Sequence, residues 1–240
     1  MMLKWDHIIH YVKNLESFDF PEQLLTIHDG GRHDALGTYN RLSYFDLSYI
    51  EFIDIFDRER VIQAAADDNE RLSFAATLER THDTEGFKRL CFRTDDIEAL
   101  KDHFVSCGRK VIGPNKMART KLNGEVISWQ LLYIDDNSDR ELPFFIQWEQ
   151  SDEERQQALA PLFQPLTVKE IALEVTDLNE RVTEWQELLG AEFKEGALHI
   201  PASPVFTVTE GTSDRILSIT IQSGEDRTLT VHDACYQFVQ

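Results

Sequence analysis

Three stretches of this chain repeat one outline at nearly constant spacing, and that repetition limits the fold more than any single motif does. Each stretch opens with a short apolar run, passes through Asp or Asn followed by an aliphatic residue, and continues into a helical pattern. The first is Trp5 to Leu15, the second Phe87 to Ile97 and the third Val168 to Leu178. Asn14 to Asp96 spans 82 residues and Asp96 to Asp177 spans 81. The runs, such as His7-Ile8-Ile9-His10-Tyr11-Val12, are short and rich in Ile, Val, Phe and Tyr, which predicts strands. Asn14, Asp96 and Asp177 then stand at helix N-caps, where a side-chain oxygen accepts from the open amides of the first turn.

The helix is clearest in the third copy, where Leu178, Val182, Trp185, Leu188 and Leu189 share one face and Gly190 supplies the stop. In the second copy Ile97, Leu100, Phe104 and Val105 make the stripe; the first is short and broken by Pro21. Strand-like runs follow each helix: Arg41 to Phe56, then Glu125 to Ile134 with Pro143 to Trp148, and last Val205 to Val208 with Arg215 to Gln222. The repeating unit is therefore βαβββ and the class is α+β. Residues 4–57 and 87–148 are expected to pair as two modules of one domain, 1–165, with a helical insert at 58–81. Pro161 and Pro165 mark its end, and residues 166–240 form a third βαβββ-like module.

Forty-two per cent hydrophobic residues, with 15 Phe and 4 Trp, supply a core for such a fold. The balance of 24 Lys plus Arg against 43 Asp plus Glu gives a net charge of −19, which argues against nucleic-acid binding, since phosphate contacts need clustered cations. No window approaches the length of a membrane span. Asp6 and His7 interrupt the N-terminus too early for a secretory signal, so a cytoplasmic protein is expected. Cys91, Cys107 and Cys235 fall in no CxxC and read as packed thiols.

Two βαβββ units side by side would close a cleft between curved sheets. This arrangement resembles the vicinal oxygen chelate superfamily, which includes glyoxalase I, extradiol dioxygenases, and bleomycin and fosfomycin resistance proteins, and most closely its glyoxalase-like domain proteins. Trp5 to Val12 is similar to the opening strand of that subgroup, and His28-Asp29-Gly30-Gly31-Arg32-His33 with Leu36-Gly37-Thr38-Tyr39-Asn40 to its glycine-rich loop. Ser48 to Ile53 resembles its ligand-bearing strand and Leu90 to Ile97 its second opening strand. The likeness covers about residues 4 to 165; the third copy resembles only the general module.

In that superfamily a divalent metal sits in the cleft, held by the first and last strands of each module. The resemblance makes His7 and Glu51 the ligands of module one. In module two the corresponding positions are Arg89, 82 residues after His7, and Gln147. A guanidinium repels a cation and Gln offers only a neutral carbonyl, so the set is incomplete and a metal-free cleft is expected. Arg89 should then pair with Glu51 or wait for an anionic ligand.

Read for themselves, His7 is either a strand histidine satisfied by a neighbour or a cleft residue, and His10, an odd number of positions away, faces the other side. Glu51 lies in an apolar strand, where an ionised carboxylate needs a partner. Gly30, Gly31 and Gly37 either supply positive-φ turns or let a loop over the cleft mouth bring His33, Thr38 and Asn40 to a ligand. Trp129 and Trp148 either pack in the core or wall a pocket. His232, Asp233 and Cys235 share one short stretch without nucleophile specificity.

The expected function is small-molecule chemistry of glyoxalase type, a lyase or isomerase passing through an enediolate. Glu51 serves as the base, and His7 with a metal or Arg89 holds the oxyanion. The alternative is metal-free sequestration of bleomycin-resistance type, with the tryptophans walling the ligand. A homodimer through the third module fits either.

Overall fold

A computed structural model describes residues 3–121, 124–136, 140 and 142–240. The first module is β1 (Lys4–Tyr11), two 3-10 turns, then β2 (His28–His33), β3 (Thr38–Tyr44) and β4 (Tyr49–Ile55). An insert of α1 (Arg58–Ala65) and α2 (Phe74–Arg80) leads to the second: β5 (Gly86–Arg93), α3 (Ile97–Ser106), β6 (Lys110–Lys121), β7 (Val126–Asp135) and β8 (Phe144–Trp148). After α4 (Asp152–Leu159) come β9 (Thr167–Val175), α5 (Leu178–Leu189), β10 (Glu192–Lys194), β11 (Ala197–His199), β12 (Val205–Glu210), β13 (Arg215–Gln222), β14 (Arg227–Val231) and β15 (Ala234–Val239).

Parallel pairing of first with last strand is the signature of each module: β1 with β4, β5 with β8, β9 with β12. The first two modules join through antiparallel β1 and β5 at one seam and β2 and β6 at the other, closing an eight-stranded barrel in the order β1-β4-β3-β2-β6-β7-β8-β5. Closure leaves no open edge and gives the barrel an inside. The remaining strands form a sheet ordered β10-β11-β12-β9-β13-β15-β14. There β13 pairs antiparallel with β9, as β5 does with β1, and parallel with β15. Strand β13 therefore opens a shortened fourth unit with no helix, where the sequence pattern made it the last strand of the third.

Asp96 and Asp177 cap their helices, accepting from Ala99 N at 2.9 Å and Glu180 N at 2.8 Å, and Gly190 ends α5 at φ 65°. Asn14 differs: at φ 60° and ψ 40° it opens only a 3-10 turn and makes no side-chain cap. Val105 also leaves the expected stripe of α3 and is 54% exposed, because a residue next to Phe104 turns to the far side of the helix.

Two apolar layers follow from strand alternation. Outward residues of the barrel, including Ile8, Phe92 and Phe145, merge with Trp185, Phe206, Tyr236 and Phe238 of the second sheet into one core. Inward residues, including Ile9, Ile53, Leu131 and Ile146, pack with Val61, Phe74, Ala75 and Leu78 of the insert, which closes the barrel from one end. None of the described helices is long and apolar enough to cross a membrane.

Candidate functional site

Inside the barrel the apolar packing gives way to a cavity of about 60 Å³. Its polar part is built by module one: His7 on β1, His33 on β2, Asn40 on β3, and Tyr49 and Glu51 on β4. Module two contributes Arg89, Arg119, Trp129 and Trp148 among apolar neighbours.

His7 is aimed by a fault in its own strand. The register of β1 against β5 shifts between Trp5 and His7, so two residues of the same parity face opposite ways: Trp5 joins the outer core and His7 the cavity. The shift also brings the fully buried Asp6 alongside, its Oδ1 at 2.7 Å from His7 Nδ1. Burial alone would raise the Asp6 carboxyl, but the His7 hydrogen bond, then the charges of Arg155, His7 and Arg93, bring it down to about 2. Trp148 Nε1 donates to its other oxygen at 3.0 Å, and the Arg155 guanidinium lies over the Trp148 ring at 4.3 Å.

An ionised Asp6 assigns the proton of His7 to Nδ1 and leaves a lone pair on Nε2. That Nε2 is buried without a hydrogen-bond partner, 3.4 Å from Glu51 Oε2. Two acceptors facing each other in an apolar enclosure repel unless a proton or a cation lies between them. Tyr49, stacked on the imidazole at 4.7 Å, and Phe144, edge-on at 5.4 Å, fix the ring.

Glu51 Oε1 accepts from Asn40 Nδ2 at 2.6 Å and lies 3.9 Å from His33 Nε2. The amide oxygen of Asn40 accepts from Gly31 N and from Arg119 Nη1, each at 3.0 Å, so both ends of the amide are committed. His33 is lowered to about 4, mostly by burial, against the upward pull of Glu51; it is neutral near pH 7. Thr38 Oγ1 holds its Nδ1 at 3.1 Å.

The donors fit the divalent metal that the resemblance implies poorly: of its four positions only His7 Nε2 and the Glu51 carboxylate offer ligands, 3.4 Å apart, and His33 Nε2, 3.9 Å from Glu51 Oε1, does not close with both into a compact three-donor group. A second group, Asp6, His7 and Cys91, has ligand atoms within 4.8 Å of one another. It fits no better, because the Asp6 to His7 hydrogen bond occupies two of its atoms and burial pushes the Cys91 thiol well up.

Of the residues expected from the sequence, the cavity gathers His7, His33, Asn40, Glu51, Arg89, Trp129 and Trp148. Thr38 stands behind His33, outside the lining. Gln147 faces away, its Oε1 accepting from Ile97 N at 2.8 Å and its Nε2 donating to the Asp95 carbonyl at 3.2 Å. Alternation explains it: Phe144, Ile146 and Trp148 point inward on β8, so Gln147 points out. Ile9 is opposite Glu51 and Cys91 is opposite Phe144, which makes Phe144 the counterpart of Glu51.

Arg89 does line the cavity, but its fork donates to the carbonyls of Leu142, at 3.0 and 2.9 Å, and Leu72, at 2.6 Å, and lies over the rings of Phe144 and Tyr133. Glu51 takes its hydrogen bond from Asn40 instead, and the cation linked to it through that amide is Arg119.

The expected loop from His28 to Asn40 is a hairpin of β2 and β3 in the wall. Gly30 and Gly31 are needed for space and not for φ: a Cβ on Gly30 would sit 2.0 Å from Asn40 Oδ1, and one on Gly31 2.7 Å from the Thr120 carbonyl. Gly37 alone of the three has the left-handed backbone, φ +71°. His232 and Asp233 form the turn before β15, with His232 Nδ1 bonded to Glu85 Oε1 at 2.6 Å.

Asp6 and Arg119 escaped the sequence reading. Asp6 next to a candidate ligand was a visible signal, since such histidines take a carboxylate partner. Arg119 was hidden with the whole of β6, whose Gly113-Pro114 and scattered lysines break the alternation that marks a strand.

Comparison with known proteins agrees with this architecture. The chain matches the family described as glyoxalase-like domain over residues 5–189. Over 99% of both chains it superposes on the crystal structure of a hypothetical protein from Staphylococcus aureus with a TM-score of 0.94 and 30% identity. A methylmalonyl-CoA epimerase from Streptomyces coelicolor is similar at 13% identity and TM-score 0.42, over 62% of this chain and 100% of that one. The epimerase from Mycobacterium tuberculosis stands at 17% and 0.39, over 61% and 89%. Among curated proteins, none matches significantly. On the family match over most of its length, the chain belongs to the glyoxalase-like domain family.

Proposed function

We propose that the barrel cavity moves a proton on a small carbon acid, in a lyase or isomerase reaction that passes through an enediolate, with Glu51 as the base. The observation that carries this reading is the buried, unpartnered Nε2 of His7 held 3.4 Å from Glu51 Oε2. Such a pair is built to share one proton and hand it on.

Glu51 Oε2 takes the proton from carbon while Asn40 steadies Oε1. His7, kept by Asp6 with a lone pair on Nε2, takes the hydroxyl proton of the substrate there as Glu51 takes the carbon proton, and returns it when the enediolate collapses. Insert helices and aromatic walls exclude water, which strengthens each of these interactions.

The test is deuterium wash-in from D2O at the carbon beside the carbonyl of glyceraldehyde, an α-hydroxy aldehyde able to form an enediolate, followed by proton NMR. Wild type should exceed Glu51→Gln by about a hundredfold or more. Equal rates would remove Glu51 as the base.

A second reading, sequestration without chemistry, is favoured by one feature: module two presents Arg89 and Phe144 where module one presents His7 and Glu51. Tight binding of a small compound with no wash-in by wild type would select it.

A further inference from the structure

We propose that the ligand of this cavity is a short-chain carboxylate, with its anionic head on Arg119 and its apolar chain against Phe74, Met117 and Leu131. The proposal rests on the reading of the cavity as a ligand site and adds the chemical class.

Arg119 is 7% exposed and lines the cavity, and its Nε is buried without a hydrogen-bond partner. Its positive charge is met by neutral groups: the Asn40 amide oxygen at 3.0 Å and the phenol of Tyr44 beside it. Of the other buried arginines, Arg89 spends its fork on the carbonyls of Leu142 and Leu72, and two are met by carboxylates. Arg155 lies 3.7 Å from each of Asp6 and Asp152, and Arg181 lies 3.3 Å from Glu184 and 2.6 Å from Asp214.

A guanidinium taken out of water without a carboxylate is costly, and the planar fork of arginine matches a carboxylate better than any other small group. Glu51 cannot fill the role, being tied to Asn40 and facing His7. Phe74, Met117 and Leu131 offer only apolar surface. About 60 Å³ leaves space for a chain of only a few carbons.

The experiment measures thermal shift and quenching of Trp129 and Trp148 fluorescence in protein dialysed against chelator, with n-butyrate, 2-oxobutyrate and butyramide as probes. Wild type should bind the carboxylates at least about tenfold tighter than the amide, the scale expected for a charge-assisted pair. Arg119→Met should abolish that preference and Arg119→Lys should keep part of it.

Equal binding of butyrate and butyramide, no response to either carboxylate at millimolar concentration, or an unchanged preference in Arg119→Met each overturn the proposal. The wild-type comparison of acid with amide stands even if Arg119→Met does not fold. Loss of wash-in with the carboxylate preference intact would strike the proton-transfer reading alone. Wash-in on glyceraldehyde with no carboxylate preference would strike this inference alone.

Discussion

His7 and His10 lie three residues apart on one strand, both buried, and meet opposite fates. His7 faces into the barrel with one nitrogen on Asp6 and the other unpartnered. His10 faces the second sheet with both nitrogens satisfied: Tyr236 donates its hydroxyl to Nδ1 at 2.7 Å, and Nε2 donates to the His232 carbonyl at 3.2 Å. Phe52, Phe87 and Tyr236 enclose its ring. A fully satisfied buried polar group adds to the fold, whereas one left open costs stability and is kept where chemistry uses it. Histidine as a residue type says little; which face of the sheet it takes decides its role.

Replacing each histidine should separate the roles. His10→Ala opens a void between barrel and second sheet and strands two polar partners, so chemical denaturation should show a loss of about 2 to 4 kcal/mol. His7→Ala removes a group already lacking one partner, and should cost less stability while abolishing wash-in. The comparison breaks if the two losses are equal.

Acid sharpens it further. Burial, the largest cause, lowers His10 from 6.5 to about 3, so the folded state resists a proton that the unfolded chain accepts. Stability is therefore complete above about pH 6.5 and falls as pH drops towards 3, by about 1.4 kcal/mol per pH unit for one such group. His33, lowered to about 4, adds its own decline over pH 6.5 to 4. Stability measured from pH 7 to pH 4.5 should fall less steeply in His10→Phe than in wild type. Parallel curves would show that His10 already takes up its proton in the fold.

Asp6→Asn frees His7 to adopt either tautomer. Wash-in should drop by about ten- to a hundredfold, as loss of a group that orients an active imidazole does elsewhere. Unchanged rates would show that Asp6 only packs. The smallest effect belongs to Tyr236→Phe, which takes one donor from His10 and should cost about 1 kcal/mol in denaturation without altering wash-in.

How far the sequence foretold these roles depends on what local pattern can carry. Asp96 and Asp177 announced two modules because a helix cap is a local event. The opposite facing of His7 and His10 followed from strand parity. Gln147 was misassigned because its register needs the partner strand, and one residue of slip on β8 exchanges inside for outside. Asp6 was visible as a carboxylate beside a candidate ligand, but the side of β1 that it takes depends on a bulge against β5, which local pattern does not contain. Arg119 lay on a strand without alternation, so the cation that completes the cavity went unseen. Where β13 belongs was settled by pairing with β9, a long-range fact that periodicity does not contain.

Proton sharing in the cavity turns on one atom, the Nε2 of His7. Nitrogen-15 NMR of the histidine rings near pH 7, in wild type and Glu51→Gln, measures it directly. The structure predicts that His7 carries its proton on Nδ1, that its Nε2 signal moves when Glu51 becomes Gln, and that both His10 signals stay in place. A His7 ring with its proton on Nε2 and none on Nδ1, or an Nε2 signal indifferent to residue 51, would contradict the proton-sharing pair at the centre of this cavity.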